Sequence, residues 1–88
     1  MAIKVTPEEL EQMASQLEGF ASQVDSLAGQ LDSAVMNALN AWEGNAQKQY
    51  ADRYNEFKPV LNQKLPTFIR DMASDAKRRA EGYRQADA

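Results

Sequence analysis

Any chemistry in this chain would have to come from its carboxylates. The 88 residues include 13 aspartates and glutamates but no histidine and no cysteine. The chain therefore has no imidazole base, no thiol nucleophile, no disulfide, and no thiolate or imidazole ligand for zinc. Glu8, Glu9 and Glu11 are explained by a helix start, and the other acids show no pairing that must converge. The sequence predicts no catalytic residue, no metal and no cofactor.

The elements that position these residues begin with a helix start at Thr6-Pro7-Glu8-Glu9. Thr6 suits the N-cap, Pro7 suits the first helical position, and Glu9 completes a capping box. The acids of the first turn also favour the positive end of the helix dipole. This pattern predicts a first helix from about residue 7 to about residue 40, roughly 50 Å long at about 1.5 Å per residue.

Large apolar residues recur along this helix at alternating spacings of three and four, which is the pattern of a coiled-coil seam. They are Leu10, Met13, Leu17, Phe20, Val24, Leu27 and Leu31. A second column at seven-residue spacing lies beside them: Ala14, Ala21, Ala28, Val35 and Trp42. Its small members would let another helix approach closely. The column is either the widened edge of one core stripe or an interface of its own.

The second half of the chain predicts another amphipathic helix, from about residue 45 to about residue 85, after a turn at about 41–45. Its apolar stripe consists of Tyr50, Tyr54, Phe57, Leu61, Leu65, Phe68, Met72, Ala76, Arg79 and Tyr83. Pro59 and Pro66 would each remove a helical hydrogen bond. At about 100° per residue both are expected opposite the stripe, facing solvent, which predicts one curved helix. Two helices meeting near these prolines are the alternative.

Charge divides at the same boundary and favours an antiparallel hairpin. Residues 1–44 hold one lysine and seven acids, a net charge of −6, whereas residues 45–88 hold nine basic and six acidic residues, a net charge of +3. The fold class is therefore all-α: one helix-turn-helix domain over residues 1–88. A cluster at Lys77, Arg78, Arg79 and Arg84 could contact nucleic acid, but the acidic balance and the lack of interleaved aromatic residues oppose this.

A two-helix hairpin has one line of contact, which is narrower than both apolar stripes. We therefore expect a second hairpin, identical or related, to complete a four-helix bundle. The expected partner-facing seam comprises the seven large residues of the first helix together with Tyr54, Phe57, Leu61, Phe68 and Met72. No segment is apolar enough for an N-terminal signal peptide or a membrane span.

The turn carries the residues Trp42-Glu43-Gly44, followed by Asn45-Ala46 and, six residues after the glycine, Tyr50. With a helix of the right type on each side, this chain resembles the WXG-type (ESAT-like) family of bacterial type VII secretion substrates over essentially its whole length. Trp42 could also serve only to plug the end of the fold. The family interpretation adds that this end is recognised by the secretion machinery.

A second feature of the family is a C-terminal Y-x-x-x-D/E export signal, which Tyr83 and Asp87 match. The resemblance implies a non-enzymatic protein, made in the cytoplasm and secreted as a folded dimer. Its signal would combine the W-x-G turn of one chain with the Y-x-x-x-D of its partner. The implied partners are a second copy or a related W-x-G protein, and the secretion ATPase, with no nucleic acid and no small-molecule substrate. An intracellular adaptor or secretion chaperone is the alternative.

Overall fold

The structure, a computed structural model, describes residues 5–87 and contains only helices and their connections in that range. Helix α1 spans Pro7–Asn40, α2 spans Asn45–Pro59, a π-helical segment spans Val60–Lys64, and α3 spans Leu65–Asp87. The predicted all-α hairpin is confirmed. Residues 1–4, on which part of the signal-peptide expectation rests, lie outside the described range, as does the side chain of Asp87.

The start of α1 follows from local chemistry. Thr6 has extended backbone angles, and its hydroxyl accepts the backbone N–H of Glu9 at 3.1 Å. The same hydroxyl also lies 3.2 Å from the Glu9 carboxylate, to which it donates. Pro7 occupies the first helical position, where its missing N–H costs no intrahelical bond. The expected N-cap and helix start are confirmed.

Alanines form the contact between the two arms of the hairpin. The residues buried there are Ala14, Ala21 and Ala28 of α1 and Ala73, Ala76 and Ala80 of α3. Leu17 packs against the cluster of Ala14, Ala73 and Ala76. The alanine column therefore faces the chain's own second arm, because small side chains let two helices pack closely. The larger residues of the predicted seam lie beside this contact instead of inside it.

Pro66 is fully buried, so the expectation that it faces solvent is wrong; Pro59 is exposed. In the π segment, the N–H of Leu65 donates to the carbonyl of Val60, five residues earlier. A regular helix would bring the Pro66 ring against the carbonyl four residues before it, and the widened π turn relieves that clash.

The π segment also changes which residues of the second arm are buried. One extra residue in a turn rotates everything after it by about 100° relative to an uninterrupted helix. The uninterrupted pattern predicted Leu65, Phe68 and Met72 on the inner side, whereas Pro66 and Ala73 are buried. The buried positions are shifted by one residue at Pro66 and Ala73, whereas Ala76 is buried as predicted and Phe68 and Met72 are exposed.

Ion pairs fix the antiparallel arrangement. The acids of α1 occur every seven residues and meet cations that descend along the second arm: Glu11 with Arg84, Glu18 with Lys77, Asp25 with Arg70, and Asp32 with Lys58. The side chains in these pairs are 35% to 53% exposed, so each pair adds little stability on its own. Their regular spacing instead favours one register and one orientation of the two arms.

Candidate recognition end and partner surface

A tight turn joins the two arms at the Trp42-Glu43-Gly44 motif. The backbone N–H of Trp42 donates to the carbonyl of Leu39 at 3.2 Å, which closes α1. Gly44 then has φ +109° and ψ −176°, a conformation that is essentially confined to glycine. The Gln47 side chain donates to the same Leu39 carbonyl at 3.2 Å, and this bond ties the first turn of α2 back to α1.

Trp42 and Tyr50 stand side by side at this end of the molecule. Their ring centroids are 5.8 Å apart and the ring planes are inclined at 51°, a tilted aromatic pair. Trp42 is 41% exposed and Tyr50 is 52% exposed. We call the space beside them the W-x-G groove; it has a volume of about 400 Å³ and is lined by Ala34, Val35, Ala38, Leu39, Trp42 and Tyr50. The tryptophan therefore forms the wall of an open apolar groove.

Both arms carry exposed large apolar residues of the predicted seam, and we call this set the partner face. On a wheel of about 100° per residue, Asp25 lies about 40° to one side of Ala21, whereas Val24 and Phe20 lie about 60° and 100° to the other. The partner face is thus on the flank opposite the ion pairs. Its most exposed members are Met13 at 43%, Phe20 at 52%, Leu27 at 57%, Phe57 at 62% and Phe68 at 58%.

The remaining members of the predicted seam are exposed to different degrees. Leu31 and Met72 are 39% and 38% exposed. Five others are half-buried beside the alanine contact: Leu10, Leu17, Val24, Tyr54 and Leu61. The predicted seam thus consists of seven exposed and five half-buried residues, and one of the latter, Tyr54, donates its hydroxyl hydrogen to Asp32.

Helix α2 is the loosest part of the hairpin, since none of its residues is buried. A cavity of about 70 Å³ separates it from α1, between Ala28 and Leu31 on one side and Phe57 and Leu61 on the other. Helix α2 and the π segment carry bulky residues at the positions that face α1, whereas α3 carries alanines there. The bulky residues hold α1 and α2 further apart than α1 and α3. Polar contacts bridge the gap: Asp32 accepts the Tyr54 hydroxyl at 2.8 Å and pairs with Lys58 at 3.0 Å.

The Asp32 bridge makes the hairpin sensitive to acid. Hydrogen bonds from Lys58 and Tyr54 hold the pKa of Asp32 below its usual value of 3.8. A carboxylate with a lowered pKa in the folded state stabilises that state above its ordinary pKa and loses the effect as pH falls through the folded value. We expect the melting temperature to fall as the pH is lowered from about 5 to about 2, and to fall less in Asp32→Asn.

The control for this prediction is Asp71→Asn, an exposed carboxylate of α3 that joins none of the ion pairs among the described residues. Calorimetric melting at each pH compares the three proteins. An acid response of Asp32→Asn equal to that of the unaltered chain would contradict the assigned role of the bridge.

The C-terminal end of α3 lies against the start of α1. Tyr83 is 37% exposed in the last turns of α3. Arg84, beside it, pairs with Glu11 and lies 3.6 Å from a carboxylate oxygen of Glu8. The helix continues to Asp87, so the backbone positions of Tyr83 and Asp87 are one turn apart. Both signal positions are thus at the end of the molecule remote from the W-x-G groove.

The basic cluster of α3 is occupied by acids of the same chain. Arg70, Lys77 and Arg84 pair with α1, whereas Arg78 and Arg79 both pair with Asp75. These bonds lower the pKa of Asp75, with Arg79 contributing the most. Each of the five cations therefore has a partner within the hairpin.

Sequence reasoning missed the bridges at Asp32 and at Arg84. Their signal was available: Glu11, Glu18, Asp25 and Asp32 recur every seven residues on one side of the alanine column. A charged column flanking a core column indicates pairing across to the facing helix. Within residues 5–87, no group of three or more acids converges as a metal site, and no helix has both the length and the apolar character needed to span a membrane.

The hairpin with W-x-G at its turn matches a known family over residues 2–88, that of proteins of 100 residues with WXG, or WXG100. The chain is a WXG100 protein. Members of this family are small secreted helical proteins of type VII-like systems and are not known as enzymes.

Individual WXG100 relatives agree in length and fold. Protein YukE of Bacillus subtilis (strain 168) is 28% identical over 85 residues, which cover 97% of this chain and 87% of YukE. The crystal form I structure of EsxA from Geobacillus thermodenitrificans has a TM-score of 0.83 at 26% identity, covering 98% of this chain and 92% of EsxA. A structure of the secreted protein EsxB from Bacillus anthracis strain Sterne has a TM-score of 0.81 at 27% identity, covering 100% and 99%.

Proposed function

We propose that this WXG100 protein is cargo of a type VII-like secretion system and leaves the cell as a folded dimer, without catalysing a reaction. A second hairpin, either the same chain or a related W-x-G protein, would cover the partner face and complete a four-helix bundle. The observation that carries the proposal is the exposed apolar partner face on a chain that belongs to a family of secreted hairpins. Such a large apolar surface is unusual on a protein that stays monomeric.

Geometry supports a signal shared between two chains. The molecule is 66 Å long, with the W-x-G groove at one end and Tyr83 at the other. One chain cannot bring these two features together without unfolding. An antiparallel second hairpin would place its own Tyr83 and Asp87 beside the first chain's Trp42. The secretion ATPase would then bind a composite surface that exists only in the assembled dimer.

The residues of the W-x-G turn would have separate roles in this surface. Trp42 and Tyr50 provide an exposed aromatic wall, and Gly44 allows the backbone reversal that holds the wall at the tip. Glu43 is exposed between them and is free to contact a partner. On the other chain, Tyr83 would offer a ring and Asp87 a carboxylate position one helical turn later.

Replacing Tyr83 by alanine tests the signal. We expect export to be abolished while the melting temperature changes by only a few degrees, because Tyr83 is 37% exposed in the hairpin. Quantification of the protein in cells and in culture medium measures export, and Tyr83→Phe controls for packing because it keeps the ring. Normal export of Tyr83→Ala would contradict the proposed role of Tyr83 in the export signal.

The same partner face also fits an intracellular helical adaptor or a secretion chaperone, which would use the face to hold another protein. Deleting the secretion ATPase separates the two functions. In the deletion strain, cargo would accumulate in the cell and be absent from the medium. An adaptor would stay in the cell both in the parental strain and in the deletion strain.

A further inference from the structure

The last turns of α3 extend past the packed part of the hairpin. Ala80 is the final buried residue of that helix, and everything from Glu81 to Ala86 is exposed. Gly82 lies between them, and a glycine in a helix costs about 1 kcal/mol relative to alanine. A short helical end that follows a glycine and has no fully buried side chain is expected to fray when it is not held.

Arg84 supplies the connection that this end needs. Its guanidinium pairs with Glu11 and lies 3.6 Å from a carboxylate oxygen of Glu8, both in the first two turns of α1. Among the hydrogen bonds and ion pairs of the described residues, those of Arg84 are the ones that join the helix beyond Ala80 to α1. The pKa of Arg84 is raised, chiefly by its hydrogen bond to Glu11, so the guanidinium stays charged at any physiological pH.

The position of this bridge relates it to the export signal. Arg84 directly follows Tyr83 and precedes Asp87 by three residues, so it belongs to the same short segment. We propose that Arg84, with Glu8 and Glu11, is a positioning site that holds the Tyr83–Asp87 segment helical and docked on α1. The signal is then presented only by a closed hairpin. This inference rests on the proposed export function and adds to it the residues that order the signal.

The test replaces Arg84 by glutamine in the full chain. Loss of an exposed ion pair shifts an equilibrium by up to about fivefold, so we expect amide exchange of residues 84–87 to accelerate about two- to fivefold and export to fall by a similar factor. Arg78→Gln is the matched control, because it removes an equal charge from a pair with Asp75 inside α3. Melting of both variants should remain close to that of the unaltered chain.

A charge exchange distinguishes positioning from direct contact with the secretion machinery. We expect Arg84→Glu combined with Glu11→Arg and Glu8→Gln to restore slow exchange and export, whereas Arg84→Glu alone should lose both. Restored order without restored export would assign Arg84 to the receptor contact and overturn the positioning role. Unchanged exchange in Arg84→Gln would also overturn it. Tyr83→Ala tests the signal itself, so failure of the proposed function is recognised separately.

Discussion

Replacing Ala21 by leucine is expected to destabilise the folded hairpin by about 2–3 kcal/mol. Ala21 has no exposed surface and lies in the middle of the close contact between the two arms. Extra methyl groups there must either clash with α3 or push the helices apart. Separation would also withdraw Ala14 and Ala28 from their contacts, because the alanine column acts as one continuous surface. A small single core supplies only a few kcal/mol in total, so this change is large.

Urea unfolding followed by circular dichroism measures the effect. Ala46→Leu is the control, since it makes the same substitution at an exposed position of α2. The control should change the free energy of unfolding by no more than about 0.5 kcal/mol. Equal stability of the two variants would mean that the alanine column does not set the distance between the arms.

Local chemistry made part of this fold predictable from sequence. The start of α1 depends on a few adjacent residues, and the Thr6 hydroxyl and Pro7 perform there the roles that their types indicate. The antiparallel hairpin was predictable because an acidic half and a basic half of the chain meet across it. Four acids of α1, spaced seven residues apart from Glu11 to Asp32, each pair with a cation of the second arm.

The identity of the internal contact was not predictable from periodicity. Phe20 and Ala21 are adjacent, and both columns repeat every seven residues, so either could face the second arm. The distance between helix axes decides between them. At the close contact, alanines of α3 face alanines of α1, and larger residues such as Leu17 pack at its edge. A hairpin built this way fully buries mainly alanines and leaves many of its larger apolar side chains partly exposed.

In the second arm, the π segment shifts the buried positions away from those that the apolar periodicity predicts. The stripe read from its sequence had the right spacing, yet it missed the buried Pro66. The π segment before this proline inserts one residue and rotates the following residues. Amphipathic periodicity assumes a constant rotation per residue, and no count of apolar positions reveals where that assumption fails. The available warning was a proline in the interior of the predicted helix.

Only part of the candidate site could be predicted from the sequence. The W-x-G turn and its neighbouring Tyr50 were visible as a motif, because Gly44 needs a conformation that other residues avoid. The bridges from Asp32 to Tyr54 and from Arg84 to Glu8 join residues 22 and 76 positions apart, so the heptad spacing of the acids indicates pairing but does not identify the partners. Such contacts depend on the register of the two arms, which local patterns do not determine.

Changing Phe20 and Leu27 together to glutamate is expected to convert the assembled protein into single hairpins. Both side chains are more than half exposed in the hairpin, at 52% and 57%, so the fold of one chain loses little. In the proposed dimer they lie in the interface, where each buried glutamate would lack a partner at a cost of about 1–3 kcal/mol. The dissociation constant should therefore rise at least about 100-fold.

Met36→Glu is the matched control for this double change. Met36 is similarly exposed, at 44%, but follows Val35 by one residue and so points about 100° away from the alanine column on the side opposite the partner face. Sedimentation equilibrium at micromolar concentration should show a dimer for the unaltered chain and for Met36→Glu, and a helical monomer for the double variant. A monomeric unaltered chain would contradict self-assembly through the partner face, and dissociation by Met36→Glu would place the interface on another side of α1. Because the composite signal needs two hairpins, the double variant should also remain in the cell.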